Sequence, residues 1–296
     1  MGYIPFKDLP LAVKSGFHFV VYNIETLHEL AKITKKLKKP AHTHLKLETG
    51  IFRQGVMPEQ LEAILNFYVQ NPLVQLEGLS MHFANIEDTT DHSYALYQLE
   101  NFATFVSVIQ EQGFKPPYIH SANTAATLLF PKTHFTMVRT GIGNYGLWPS
   151  KETKLSATKK IELKPVLTWK TRVAQIKVIP KDSFIGYGCT YKTTHAATLA
   201  IIPVGYYDSY DRGLSNLGYV LIRGQRAPIR GRVCMNMMMV EVTHIPKISL
   251  EDEVVLLGKQ GKEELTADQM ATWLGTINYE ITTRISESIP RKVINL

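Results

Sequence analysis

The first half of the chain alternates short apolar runs with longer segments whose apolar residues return every three or four positions. Residues 17–22, 42–47, 79–83, 118–120 and 136–138 predict strands, and residues 24–38, 58–70, 93–112 and 122–129 predict helices. Strand-helix repetition of this kind buries a parallel sheet beneath an outer layer of helices. Residues able to do chemistry stand where strands end: Lys46 and Arg53, His82, Asn123 and Arg139. A βα barrel puts its site at that rim. A complete (β/α)8 barrel takes eight units and ~250 residues, so residues 1–148, with five predicted strands, predict a partial, TIM-like barrel. Residues 1–5 carry no cap signal or linker composition and read as a loop inside a fold.

Beyond Trp148 the rhythm changes. Residues 167–179, 196–203, 219–222, 227–233, 237–242 and 253–257 predict strands separated by turns, and helical spacing returns only near 267–275 and 279–286. Residues 149–296 are therefore expected to form a second, mainly antiparallel β domain, which makes the fold class α/β plus β.

Composition narrows the function classes. With 296 residues and 45% hydrophobic content, the chain can bury two cores. No run approaches the ~18 to 20 apolar residues of a membrane span, and Lys7, Asp8 and Pro10 interrupt any leader pattern, so a cytoplasmic protein without membrane contact is expected. Cys189 and Cys234 form no Cys-x-x-Cys pair, which supplies neither a disulfide framework nor a metal site. The net charge of +7 raises nucleic acid as a partner. The densest basic run, Lys32, Lys35, Lys36, Lys38 and Lys39, is however interleaved with Leu27, Leu30, Ile33 and Leu37 at helical spacing. That is the wet face of an amphipathic helix, so no nucleic acid is expected, and the charge suits a small anion instead.

The stretch from Arg139 to Gly146 sets a permanent cation beside Gly141, Gly143 and Gly146. Glycines let successive N–H groups converge on an anion, which makes this turn a candidate phosphate cup. An ordinary βα turn has the same outline, so the surrounding motifs carry the weight. They are the run from His44 through Lys46 and Arg53 to Gly55, Met81-His82-Phe83, His120-Ser121-Ala122-Asn123, Gly186-Tyr187-Gly188, Gly205-Tyr206 with Asp208, Gly231-Arg232 with Met235-Asn236, and Thr276 to Glu280.

In that order the motifs resemble the alanine racemases, pyridoxal 5'-phosphate enzymes that pair a βα barrel with a C-terminal β domain and act as head-to-tail homodimers. The resemblance implies that Arg139 bonds the pyridine nitrogen and that Gly141, Ile142, Thr124 and Tyr279 hold the phosphate, with Asn123 also among the cofactor-binding residues. It implies that His82 packs on the cofactor ring and links Arg139 to the catalytic tyrosine. Arg53 would reach the cofactor phenolate and the substrate carboxylate, and Lys46 matches a lysine that many members carry as a carbamate. Tyr187 matches the base that removes the α-proton of the L-substrate, entering the partner subunit's barrel. Tyr206, Arg212 and Arg232 match the substrate entrance, and the Met235 N–H the grip on its carboxylate. Tyr279 narrows the pocket in favour of alanine, although one methyl or hydroxyl discriminates by only ~1 to 3 kcal/mol.

Four positions depart from the family pattern. Thr124 stands where serine is more frequent, Asn236 where aspartate is usual, and Tyr207 and Ser209 where small residues are usual. The lysine that anchors the cofactor covalently lies, in the family, in an N-terminal Lys-x-x-x-Tyr-Gly segment, and none precedes His44. The expectation is a racemase of alanine, supplying D-alanine for peptidoglycan precursors by a two-base tyrosine and lysine mechanism, in a form lacking the barrel segment that carries the lysine. Weak cofactor binding and no racemisation by these residues alone would follow. The alternatives are a serine or broad-specificity amino-acid racemase of the same fold, or a non-catalytic remnant that binds the cofactor or dimerises.

Overall fold

The computed structural model describes residues 2–157 and 161–294, and the chain divides into two compact units, Met1–Leu163 and Lys164–Leu296. Met1, the first residue of the predicted opening loop, lies outside the described residues; residues 2–5 are irregular.

In the first unit a helix the hydrophobic pattern did not announce, α1 (Leu9–Lys14), precedes strand β1 (His18–Val21). There follow α2 (Ile24–Leu37), β2 (Ala41–Lys46), α3 (Pro58–Gln70), β3 (Val74–Ser80), α4 (Ser93–Glu111), β4 (Tyr118–His120), α5 (Thr124–Leu129) and α6 (Lys151–Ser156). The sheet is parallel in the order β1-β2-β3-β4, each strand beside the next in sequence, which is the arrangement of successive units in a barrel wall. Helix α2 shows why the basic run is helical. The Asn23 side chain accepts the Thr26 N–H at 2.9 Å and caps its start, while Lys38 in the left-handed conformation (φ 51°) ends it. Leu27 and Leu30 are fully buried, and burial of each such side chain contributes about 1.5–3 kcal/mol, so this stripe outweighs mutual repulsion among the solvated lysines.

Two sequence-based boundaries need correction. The strand expected at 79–83 runs instead over Val74–Ser80, because its partner β2 pairs from Ala41↔Val74 to Lys46↔Ser80. The carbonyls of Met81 and His82 leave the ladder and accept from the Arg139 and Gln98 side chains. No strand forms at 136–138. There the Thr136 hydroxyl accepts the Ile119 N–H at 2.7 Å and donates to the Pro117 carbonyl at 3.0 Å, so a side chain occupies bonds that a β-ladder would need.

The second unit contains β5 (Trp169–Arg172), β6 (Gln175–Ile179), β7 (Ala197–Ile202), β8 (Tyr219–Ile222), β9 (Gln225–Pro228), β10 (Met238–Glu241), β11 (Glu253–Gln260), β12 (Glu263–Leu265), α7 (Ala267–Leu274) and α8 (Asn278–Thr283). Its pairings are all antiparallel: β10-β7-β6 in one sheet, and β12-β11-β8-β9 with β5 on β11 in the other. The run expected as one strand at 167–179 is two. The Val173 N–H goes to Asp252 and the Ala174 N–H to Ile201, so the chain crosses from one sheet to the other at that step.

The two faces of β2 are chemically distinct. Thr43 faces α3, where its hydroxyl lies 2.8 Å from the fully buried Tyr68 hydroxyl and 2.7 Å from the Gln75 carbonyl. The Thr43→Val variant should lose about 1–3 kcal/mol in denaturant unfolding, because the Tyr68 hydroxyl is left dry and unpaired. Adding Tyr68→Phe should recover part of that loss, and a double variant no more stable than Thr43→Val would disprove the pairing.

Candidate active site

His42, His44 and Lys46 alternate onto the other face of β2, and Arg139 comes to that face from the loop after β4. The Arg139 N–H bonds the Ala122 carbonyl, which fixes the backbone, and the guanidinium spreads over the ends of β3 and β4. One terminal nitrogen donates to the His120 Nδ1 at 2.6 Å and the His120 carbonyl at 2.9 Å. The other donates to the carbonyls of Met81 at 2.8 Å and Ser121 at 3.1 Å, and lies 3.5 Å from the His82 Nδ1. Among the described residues no carboxylate pairs with it, and its Nε makes none of these bonds. Burial brings its pKa down to about 10, so it remains a cation at neutral pH.

The histidines around it are neutral. Burial, followed by the Arg139 charge, lowers His82 to about 4 and His120 to about 3, while burial and then His18 lower His44 to about 4. The His82 loop is pinned by the fully buried Gln98, which donates to the His82 carbonyl at 3.3 Å and accepts the Ala84 N–H at 2.9 Å.

The glycine turn adjoins this cation. The Thr124 hydroxyl oxygen accepts the Gly141 N–H at 3.0 Å and lies 3.4 Å from the Gly143 nitrogen, which leaves the hydroxyl proton for an outside acceptor. The Ile142 N–H has no acceptor among the described residues. A Cβ on Gly143 would come within 2.7 Å of the Thr124 methyl, so glycine there is a packing requirement. Asn123 caps α5 through the Ala126 N–H at 3.0 Å and donates to Glu87 at 3.1 Å; it shapes the turn.

Lys46 is buried and makes no ion pair among the described residues; burial, and next the Arg53 charge, lower its pKa. Arg53 itself is exposed on the loop after β2. One oxygen of the buried Glu48 carboxylate shapes that loop by accepting the N–H groups of Gly50, Ile51 and Phe52 at 2.8, 2.9 and 3.0 Å. Sequence reasoning assigned no part to Glu48, His44, His120 or Gln98. For His44 and His120 the available signal was a polar residue within a strand whose buried faces are ordinarily apolar; Glu48 and Gln98 lie outside the strands and carried no such signal.

The second unit gathers most of the predicted substrate residues at two turns. The Tyr206 N–H bonds the Cys234 carbonyl at 3.0 Å and the Tyr207 N–H the Met235 carbonyl at 2.8 Å, with Gly205 packed so closely on Cys234 and Met235 that a Cβ would overlap their backbone. The Met235 N–H has no acceptor among the described residues. Tyr187 is 75% exposed, carried between Gly186 (φ 70°) and Gly188 (φ 72°), and a Cβ on Gly188 would meet the Arg232 guanidinium. The left-handed backbone is what glycine supplies here, and it turns the phenol outward. Arg212 is exposed at the start of a short 3-10 turn, and Tyr279 lies in the first turn of α8.

The family model for the N-terminal domain of alanine racemase matches residues 1–149, and that for its C-terminal domain matches residues 166–293. The alanine racemase of Leptospira interrogans is 43% identical over 271 residues, covering 90% of this chain and 69% of the relative. That of Desulfovibrio desulfuricans is 38% identical over 291 residues, covering 98% and 76%. Among solved structures, the Bacillus anthracis alanine racemase with bound L-Ala-P superposes with a TM-score of 0.89 at 34% identity, covering 97% of this chain and 72% of that one. The Clostridium difficile alanine racemase gives a TM-score of 0.91 at 33% identity, covering 98% and 74%. The fold is accordingly an α/β barrel domain followed by an antiparallel β domain.

Unfolding returns His44, His82 and His120 to the ordinary pKa of about 6.5. Below that value the unfolded chain binds more protons than the folded one, so the free energy of unfolding should fall as pH drops from about 6.5 to 5 and be insensitive to these groups above 6.5. Urea midpoints across pH 5–8 would measure it; midpoints unchanged between pH 7 and 5 would contradict the neutral cluster.

Proposed function

Since this chain belongs to the alanine racemase family of isomerases, we propose that it holds pyridoxal 5'-phosphate at the Arg139 turn and interconverts L- and D-alanine. The observation that carries the proposal is a half-buried guanidinium surrounded by neutral acceptors alone, beside a turn with an N–H and a hydroxyl proton to offer. Such a place has charge and donors to spare for an anion. The residues suit the cofactor: the Ile142 N–H and the Thr124 and Tyr279 hydroxyls for the phosphate, with the Gly141 N–H joining them once it leaves the Thr124 oxygen, the Arg139 Nε for the ring nitrogen, His82 against the ring, and Arg53 for the phenolate and the substrate carboxylate.

When bound, the cofactor supplies an electron sink for the carbon that loses its α-proton. Arg139 donates a hydrogen bond but retains its proton at neutral pH, which limits the electron withdrawal and disfavours protonation at the wrong carbon. Tyr187 takes the proton of the L-substrate, and the Met235 N–H holds the carboxylate, with Tyr206, Arg212 and Arg232 lining the entry. The unit is a homodimer in which Tyr187 and Met235 of one protomer serve the Arg139 turn of the other. A lysine is the base for the D-substrate, and none of these residues stands in the family's motif for it. Lys46, whose lowered pKa makes the reactive free amine more available, carries a carbamate that supplies the anion next to Arg53. The product serves peptidoglycan precursor synthesis in the cytoplasm.

Quenching of intrinsic fluorescence by pyridoxal 5'-phosphate tests the site. Arg139→Gln should weaken binding roughly tenfold or more, the factor that 1.4 kcal/mol represents, and unchanged affinity would remove the cofactor from this turn. In a lysine-complete version loaded with pyridoxal 5'-phosphate, Tyr187→Phe should suppress deuterium entry at Cα of L-alanine more than of D-alanine. Equal suppression would refute its one-sided role.

A further inference from the structure

Histidine side chains connect Arg139 with the far strand of the sheet. The His120 Nδ1 lies 2.6 Å from the Arg139 terminal nitrogen, the His120 Nε2 lies 2.8 Å from the His44 Nδ1, and the His44 Nε2 lies 3.2 Å from the His18 Nδ1. A guanidinium nitrogen can only donate, so the His120 Nδ1 must accept and its proton sits on Nε2. That N–H points at the His44 Nδ1, which must then also accept, and the His44 proton is on Nε2 toward His18. A second proton on either ring would put two N–H groups head to head. One cation therefore sets two tautomers and keeps both rings neutral.

The fold accommodates this line. Gly78 stands opposite His44 in the β2–β3 register, and a Cβ there would come within 2.5 Å of the His44 ring. Tyr118, which pairs with the same Gly78 from β4, stacks on the His44 ring, with centroids 5.5 Å apart and planes 12° from parallel. The charged and titratable groups facing the line are Arg139, Arg53, Lys46 and His82 at one end, and His18, His42 and Glu77 at the other, the His42 Nδ1 lying 3.2 Å from a Glu77 oxygen. None of them is a carboxylate touching Arg139.

We propose that His120 and His44 are positioning residues for Arg139: a single donor chain, Arg139 to His120 to His44 to His18, holds the guanidinium in place without neutralising it. A carboxylate in the same position would hold the arginine equally well but would cancel the charge that a bound group needs. The chain is polarised along its length, each bond strengthening the next. The identity of the bound group rests on the proposed function; the tautomers do not.

The tautomers are read by nitrogen-15 NMR of histidine-labelled full-length chain without ligand. His120 and His44 should show a protonated Nε2 and a bare Nδ1 from pH 8 to 5, and an Nδ1–H form or an imidazolium of either at pH 7 would overturn the proposal. The His120→Gln variant can still accept from Arg139 and donate to His44, so its affinity for pyridoxal 5'-phosphate should stay within about twofold, whereas His120→Leu should lose roughly tenfold. Equal affinities of the two variants would overturn the positioning role. If His120→Leu does not fold by circular dichroism, the NMR result decides alone. Failure of the parent chain to bind the cofactor, with the tautomers as stated, would sink the proposed function and leave the histidine chain standing.

Discussion

A half-buried cation without a counter-ion is the constraint on which the first unit turns. Arg139 exchanges water for three backbone carbonyls and two imidazoles, which occupies both terminal nitrogens and leaves its Nε and its charge. Burying a charge is costly unless every donor finds a partner, so the strand ends around it are committed to that task. β3 ends at Ser80, and the Met81 carbonyl beyond it serves the guanidinium. The histidines nearby are pushed to pKa values of about 3 and 4 by the same burial and the same charge.

Around that centre, structure and chemistry are served by different atoms of the same residues. The Thr124 oxygen accepts from the glycine turn and its proton is left for a ligand. Asn123 spends its side chain on a helix cap and on Glu87. Glu48, a residue of the kind that does acid-base work, gathers three backbone N–H groups and gives shape to the loop that carries Arg53. Division of this kind produces preorganisation: the groups that meet a ligand are held by groups that never touch it.

The second unit solves another problem with close backbone approach. Gly205 lets one turn lie directly on the Cys234 and Met235 backbone, and Gly186 and Gly188 hold Tyr187 outward in a conformation that side chains resist. The groups proposed to meet the substrate are presented by turns between the antiparallel strands. The departures at Tyr207, Ser209 and Asn236 fall at these turns: Ser209 adopts φ 72°, and Tyr207 and Asn236 are exposed.

What the sequence by itself determined is the local part. The spacing of Leu27, Leu30 and Ile33 makes α2, the alternation of sheet and helix patterns makes the parallel sheet, and the ordered motifs single out Arg139, His82, Thr124, Tyr187 and Met235. These are effects of neighbours within a few positions, and periodicity reports them. The tertiary structure decided what depends on partners far along the chain. β3 starts and stops where β2 offers bonds, the 136–138 segment fails to pair because Thr136 competes for the ladder, and the 167–179 run divides because its two halves serve different sheets. The histidine line joins positions 18, 44, 120 and 139, which no spacing rule links, because only the register of a folded sheet brings their ring nitrogens to hydrogen-bond distance.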